Sequence, residues 1–341
     1  MKIKEAIVAL TKQQDLDYDF AYEVMNELMT GVPSEAQMGA YLMGLSIKGE
    51  TIEEITAHAA NMRTHCPRLL HDVDALEIVG TGGDKAHTFN ISTASAIVAA
   101  AAGVPVAKHG NRSVTSKCGA ADVLEKLGVK IDLAPEKSVA LLEKIGICFL
   151  FAQTYHTGMK HVKPVRKELG IPTIFNILGP LTNPAGANME LLGVYDQKLV
   201  EPLAQTLCNL GVKSGMVVHG ADGLDEITTT GVTHVCEVRA GWVKKYDITP
   251  EQFGIPRAMK SDLEGGTPEE NAEILKEVLK GVEGPKTDIV LLNVAASLYI
   301  AEKATSIEAG IALAKATIHS GAAMKKLDEF IQYSNEQEAS S

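Results

Sequence analysis

Aromatic residues are scarce, 5% of the 341 positions with a single tryptophan, so no broad aromatic platform is on offer. Long hydrophobic runs are missing too: no window approaches the roughly 20 apolar residues that would span a bilayer. The opening MKIKEAIVALTKQQ is too short and too broken by charge for a secretory signal, so a cytoplasmic location and no membrane partner are expected. Positive charge is in deficit, with 32 Lys plus Arg against 43 Asp plus Glu and a net charge of -11. That balance gives no general attraction to nucleic acid, and any phosphate site must be a local basic pocket. The five cysteines, Cys66, Cys118, Cys148, Cys208 and Cys236, are odd in number, widely spaced and free of any C-x-x-C pair. They read as reduced, mostly buried thiols. There is no internal repeat and no low-complexity tract.

What is present, 45% hydrophobic and 22% charged residues, is the composition of a soluble globular chain with material for a sizeable core. Its length exceeds one ordinary core, and two domains are expected. Residues 1 to 65 carry helix periodicity, with Ile3, Ala6, Ile7 and Leu10 on one face. Ser34-Glu35-Ala36-Gln37 and Thr51-Ile52-Glu53-Glu54 read as capping boxes. From Ala75 the pattern changes to short β-rich runs, LEIV, VPVAK, ICFLF, LLGV, GMVVH, THVCEV and DIVLLN. Helical stretches at 92–102, 119–127, 199–210 and 267–279 alternate with them. The pattern predicts an α/β fold: a small all-helical domain plus a large α/β domain with a central, mainly parallel sheet. The expected boundaries are 1–70 for the helical domain, 71–163 and 187–335 for the α/β domain, and 336–341 for a polar tail. The Gly/Pro/Asn-dense segment 164–186 is expected to return the chain to the helical domain.

Three clusters carry chemistry. Gly80-Thr81-Gly82-Gly83-Asp84 follows a strand-like run and precedes a helix, the arrangement in which bare glycines let backbone N–H groups turn onto a phosphate. It could equally be a tight connection. Lys85 stands where a dinucleotide fingerprint needs glycine, and no G-x-x-x-x-G-K-[ST] loop occurs. Asn90-Ile91-Ser92-Thr93 offers three polar side chains at the helix start, which simple N-capping would also explain. The second cluster, Lys108 to Gly119, gathers three cations and three hydroxyls, the local basic pocket that the overall charge requires. The third, Asp225-Glu226 after a strand and turn, can hold a hard cation through oxygen, although paired acids at a solvated turn are common. Arg166 suits a planar clamp for a carboxylate or an ordinary surface helix. His109 and His156 show no metal-ligand spacing.

Taken in order, GTGGD, NIST, KHGNR, VKPVRKELG, FNILGPLTNP and the Asp225-Glu226 pair resemble the anthranilate phosphoribosyltransferases over nearly the whole chain. The resemblance implies transfer of the phosphoribosyl group of phosphoribosyl pyrophosphate (PRPP) to the anthranilate amine, the second step of tryptophan biosynthesis from chorismate. It implies Mg²⁺, two ions per subunit, a homodimer meeting through the helical domain, and association with anthranilate synthase components. By position, Gly80, Gly83, Asp84, Thr88, Asn90, Ile91, Ser92 and Thr93 match the PRPP cradle. Lys108, His109, Gly110, Asn111, Arg112, Ser113, Val114, Thr115, Ser116 and Ala120 match the loop around it. Gly80, Asn111 and Arg166 match the anthranilate contacts, and Ser92, Asp225 and Glu226 the metal ligands. No residue is implied as nucleophile or general base.

The chain departs from the pattern at His156-Thr157-Gly158-Met159, where relatives often read His-Pro-Ala-Met, at Ala120, where many carry Ser, and at Pro172, where Arg is frequent. Any contact at Ala120 must come from its backbone. Two other readings use the same scaffold: a pyrimidine-nucleoside phosphorylase, and a non-catalytic nucleic-acid-binding relative. KHGNR and Asp225-Glu226 argue against the first, and the acidic balance against the second.

Overall fold

The computed structural model describes residues 1–67, 69–113 and 117–336. Its first four helices are α1 (Lys2–Thr11), α2 (Tyr18–Thr30), α3 (Glu35–Lys48) and α4 (Ile52–Thr64). Both capping boxes form: the Ser34 and Thr51 hydroxyls accept from the Gln37 and Glu54 N–H groups, whose side chains reach back to the cap N–H. Asp17 caps α2 in the same sense, and Gly31 ends it in the left-handed region at φ 71°.

Strands and helices then alternate through β1 (Leu76–Gly80), α5 (Ile91–Ala101), β2 (Val106–Gly110), α6 (Ala120–Leu127), α7 (Pro135–Ile145) and β3 (Ile147–Phe151). A single turn, α8 (Ala152–Tyr155), leads into α9 (Met159–Leu169) and α10 (Phe175–Leu178). These pack back on the first helices, α9 against α2 and α3, and α10 against α4. The sheet resumes with β4 (Met189–Gly193), α11 (Val200–Asn209), β5 (Ser214–Gly220), β6 (Thr233–Arg239) and β7 (Trp242–Ile248). Four helices follow: α12 (Pro268–Leu279), α13 (Pro285–Ile300), α14 (Ile307–His319) and α15 (Ala322–Asn335).

The seven strands lie in the order β3-β2-β1-β4-β5-β6-β7. The first five are parallel, and β6 and β7 extend the sheet antiparallel. Both faces are covered, so the inner strands read as nearly unbroken apolar runs. Ile78, Leu191 and Met216 pack with α5, α13 and α15 on one side. Leu192, Val217 and Cys236 pack with α11 in a core continuous with the helical bundle. The chain runs outward from β1 to β2 and returns to β4 on its other side, so the β1/β4 boundary is the switch point, where open α/β sheets place ligands beyond the carboxyl ends of their strands.

One strand expectation fails, and one strand goes unread. The run Asp288 to Asn293, DIVLLN, is the middle of α13 and not a strand. Ile289, Val290, Leu292, Val294, Ala295 and Ala296 are all fully buried, because α13 is enclosed by α5, α14 and the sheet. An apolar run buried on every side shows neither period, and Pro285 in the first turn is the local signal for helix. Conversely, β7 is a strand that the pattern hides: it is an edge, with Trp242, Lys244 and Lys245 exposed.

Candidate functional site

β1 and β4 end in register at Gly80 and Gly193. Across these two ends lies Asp225. A Cβ on Gly80 would stand 2.3 Å from Asp225 Oδ2, and one on Gly193 would stand 1.6 Å from the Asp225 carbonyl oxygen. The glycines are thus what admits the acid. Gly82 then donates its N–H to Asp225 Oδ2 at 2.6 Å. Gly82 and Gly83 hold φ of 70° and 81°, and beyond its chain neighbours no atom of the described residues lies within 4 Å of where a Gly82 Cβ would be, so the loop is bent and open above the acid.

Asp225 and Glu226 are not at a solvated turn: both are buried, 9% and 8% exposed. Asn293 of α13 anchors the chain just beyond them, accepting from the Ile227 N–H at 3.0 Å and donating to its carbonyl at 2.9 Å. Burial, then the negative charges of Asp84 and Glu226, push the Asp225 pKa well up. Burial pushes Glu226 up to about 8, against the pull of Lys108. One lysine therefore faces a group of three acids. Lys108 donates from Nζ to the Ile78 carbonyl at 2.7 Å and to Ser92 Oγ at 3.2 Å, and burial pushes its own pKa down. This donor set, all oxygen, buried and in negative excess, fits a hard cation. Among the described residues no three His, Cys, Asp or Glu side chains form a ready-made metal cage. Such an ion would complete its shell with Ser92 and oxygens from outside the protein.

At the start of α5 the side chain of Asn90 does not cap the helix. It accepts from Asn271 at 2.9 Å and donates to the Cys118 carbonyl at 3.2 Å, tying α12 to the loop before α6. The first N–H groups of α5 are left without a side-chain cap, and Thr93 Oγ1 is buried with no partner among the described residues. An uncapped helix N-terminus beside Lys108 and the glycine loop has the donors and the charge that suit an anion. Thr88 pairs with Glu264 in an isolated bridge that straps the loop down.

The second loop is less open than its charge suggests. Arg112 donates to Asp122 at 3.0 Å and to Glu125 at 2.9 Å. Its guanidinium is neutralised on α6. Asp122 also accepts from the Ser113 N–H at 3.0 Å and the Gly119 N–H at 2.8 Å, which closes the loop onto the helix led by Ala120. Asn111 Oδ1 accepts from Gln153 at 3.3 Å, leaving its NH₂ without a partner among the described residues. Val114, Thr115 and Ser116 lie outside the described residues.

Arg166 stands apart on α9: no hydrogen bond or ion pair among the described residues joins it to the glycine loop. It lies 5.3 Å from the Phe175 ring centroid, with a long contact of 3.4 Å to Asn176 Oδ1. Burial lowers its pKa, and no carboxylate offsets that desolvation.

Motif reading missed the second layer. Glu77, the lone acid in LEIV, is fully buried and accepts from the His109 N–H at 3.1 Å and from Asn183 at 2.6 Å. Burial raises it to about 8. Glu190 faces it on β4, with Oε1 unpartnered among the described residues. The available signal was a charged residue inside an otherwise buried parallel strand.

Residues 72–324 match the glycosyl transferase family a/b domain, and residues 4–66 the helical bundle domain of that family. The chain is 61% identical to the anthranilate phosphoribosyltransferase of Methanobrevibacter smithii over 98% of this chain and 99% of that one. It is 57% identical to that of Lachnoclostridium phytofermentans over 98% and 99%. Among solved structures, the anthranilate phosphoribosyltransferase of Thermus thermophilus superposes with a TM-score of 0.92 at 44% identity, covering 98% of this chain and 99% of that one. The Saccharomyces cerevisiae enzyme in complex with PRPP and Mg superposes at 0.89 with 31% identity, covering 97% of each. With this sheet and this helical bundle matched along their lengths, the chain belongs to the anthranilate phosphoribosyltransferase family.

Proposed function

We infer that this chain transfers the phosphoribosyl group of PRPP to the anthranilate amine, giving N-(5-phosphoribosyl)anthranilate and pyrophosphate. The observation that carries the reading is the pairing of two features at one strand end: the uncapped N-terminus of α5, and the buried Asp225-Glu226 pair that calls for a cation. Phosphate groups on the α5 N–H groups and Lys108 would share the site with a cation held by Asp225, Glu226 and Ser92. Gly80, Gly83, Asp84, Thr88 and Asn90 shape the cradle. Mg²⁺ there would neutralise the leaving pyrophosphate, and our reading is two ions per subunit, held by these side chains together with the substrate phosphates and water.

The protein's own part is positioning. Arg166, a desolvated cation without an acid partner, supplies a planar fork for the anthranilate carboxylate. The unpartnered NH₂ of Asn111 gives a second donor. Holding the amine against the anomeric carbon lets it attack through a transition state with oxocarbenium character, with no covalent enzyme intermediate.

We also read a partition into a helical domain, 1–70 with the returning 164–186, and an α/β domain, 71–163 with 187–335. The homodimer reading is supported by exposed apolar side chains on α1 and α3: Val8 at 54%, Met43 at 38% and Ile47 at 66%. Association with anthranilate synthase components rests on the resemblance alone. Among the described residues no helix is long and apolar enough to cross a membrane.

Purified protein with PRPP, Mg²⁺ and anthranilate is expected to consume anthranilate fluorescence, and to do so only with the divalent ion present. Turnover of uridine with phosphate instead would make it a nucleoside phosphorylase.

A further inference from the structure

The sheet parts between β1 and β2. Among the described residues these strands pair at Leu76↔Val106 alone, whereas β1 with β4, β2 with β3 and β4 with β5 each share five residue pairs. The ladder opens with the Leu76 N–H donating to the Pro105 carbonyl at 2.8 Å. In a parallel pair that starts in this register, the next rungs run from the Ile78 N–H to the Ala107 carbonyl and from the His109 N–H to the Ile78 carbonyl. The pairing stops short of both, and three side chains take up the groups left over. Glu77 Oε1 accepts from the His109 N–H at 3.1 Å, Asn183 donates to the Ala107 carbonyl at 2.8 Å, and Lys108 Nζ donates to the Ile78 carbonyl at 2.7 Å.

Asn183 also braces the acid. Its Oδ1 accepts from the Ala185 N–H at 2.8 Å, so the NH₂ is the end that faces the sheet, where it donates to Glu77 Oε2 at 2.6 Å as well as to Ala107. Both oxygens of Glu77 are thereby held, one by β2 and one by a side chain 106 positions away. All of these groups are buried, and water has no part in the exchange of partners.

We propose that Glu77, braced by Asn183, is the positioning residue for Lys108: by taking the His109 N–H it frees the Ile78 carbonyl, and that carbonyl seats the Lys108 ammonium beside Ser92. The seat uses one N–H of the ammonium, Ser92 Oγ at 3.2 Å takes a second, and the third has no partner among the described residues. A ladder that closed would give the Ile78 carbonyl to the His109 N–H and unseat the ammonium. The effect on substrate binding rests on the reading of Lys108 as a PRPP contact, whereas the parting of the strands does not.

Crystal structures of the wild type and of Glu77→Leu without substrates give the first test. Leucine fills a similar volume and cannot accept, so the variant is expected to continue the ladder, with the His109 N–H on the Ile78 carbonyl and Lys108 Nζ displaced from it. Lys108 still on that carbonyl in the variant overturns the proposal; Glu77→Met takes the place of Leu if Leu does not fold. Calorimetry with PRPP and Mg²⁺ is expected to show about tenfold weaker binding for Leu, the scale of one charged hydrogen bond, with the anthranilate KM unmoved. Glu77→Gln keeps an acceptor for the His109 N–H and is expected to lose less than Leu; equal losses overturn the capture of that N–H. In a Lys108→Met background, Glu77→Leu is expected to cost no further PRPP affinity. Additive losses overturn the route through Lys108 and leave Glu77 as support for the fold. A wild type that does not bind PRPP would instead remove the proposed function, with the ladder still judged by the two structures.

Discussion

The Asp225 carboxylate occupies the space that a side chain on Gly80 would need, since a Cβ there would stand 2.3 Å from Oδ2. Gly80 has an ordinary φ, so alanine meets no backbone strain and the cost is the displaced acid. Gly80→Ala is expected to fold, and to lose about 10- to 100-fold in turnover at limiting Mg²⁺, the scale of a misplaced catalytic group. Partial recovery at high Mg²⁺ would fit a displaced ligand. Gly193→Ala is the contrast: its Cβ would meet the Asp225 backbone oxygen at 1.6 Å, which no side-chain rotation relieves, so lost stability is expected. Mg²⁺ titrations of activity with urea unfolding separate the two, and wild-type Mg²⁺ dependence in Gly80→Ala would remove Asp225 from the metal site.

Lys85 sits in the same loop at φ 57°, and His87 follows at φ 55°. A left-handed residue with a side chain costs roughly 1 kcal/mol, which glycine avoids while adding a similar entropy cost through the unfolded chain. Lys85→Gly is therefore expected to be nearly neutral. Lys85→Val, β-branched, is expected to destabilise by about 1–2 kcal/mol in urea unfolding. Equal stability of the Val variant and wild type would show that the loop relaxes out of this conformation.

What sequence reading could and could not reach follows from distance along the chain. The glycine loop, the two capping boxes and the apolar face of α1 declare themselves within a few residues, because turn geometry and helix period are local. The chain that carries the buried Asp225 and Glu226 is anchored at Ile227 by Asn293, 66 positions away on a helix mistaken for a strand. Asn90 looks like a cap and serves as a tie to Asn271, 181 positions on. Arg112 looks like a free cation until α6 folds back and supplies Asp122 and Glu125. In each case the residue type was visible, and the partner that fixes its role was not.

His58 should make the fold acid-sensitive. It is fully buried in the helical domain, and burial lowers its pKa from 6.5 to about 4. Its Nδ1 faces the Glu54 carbonyl and so carries the proton, and Nε2 accepts from the Tyr41 hydroxyl at 2.7 Å. The unfolded chain takes up a proton below pH 6.5, while the folded chain refuses it until about 4. Stability from this group is thus complete above 6.5 and lost as pH falls from there to about 4, amounting to about 3 kcal/mol. Urea midpoints against pH are expected to fall more steeply for wild type than for His58→Gln across that window, and parallel curves would refute the assignment.

Arg166 best separates an anthranilate site from a nucleoside site, because anthranilate carries a carboxylate and a pyrimidine base does not. The side chain is half-buried on α9, flanked by Phe175 and Asn176, with no acid of its own among the described residues. Charged hydrogen bonds of this kind contribute about 1.5–3 kcal/mol, so Arg166→Ala is expected to weaken anthranilate binding roughly 10- to 150-fold. Lys is expected to rescue only in part, since an ammonium keeps the charge and lacks the planar fork. Asn176 allows a second approach, because its Oδ1 already lies 3.4 Å from Arg166 and also accepts from the Thr173 N–H at 3.0 Å. Asn176→Asp keeps that acceptor and adds a fixed negative charge beside the guanidinium. It competes with the substrate carboxylate from within the protein, so the anthranilate KM is expected to rise while the PRPP KM holds. Separate Michaelis constants for wild type, Arg166→Ala, Arg166→Lys and Asn176→Asp decide the matter: equal losses for both substrates would mean that Arg166 supports the fold of the site and does not clamp anthranilate.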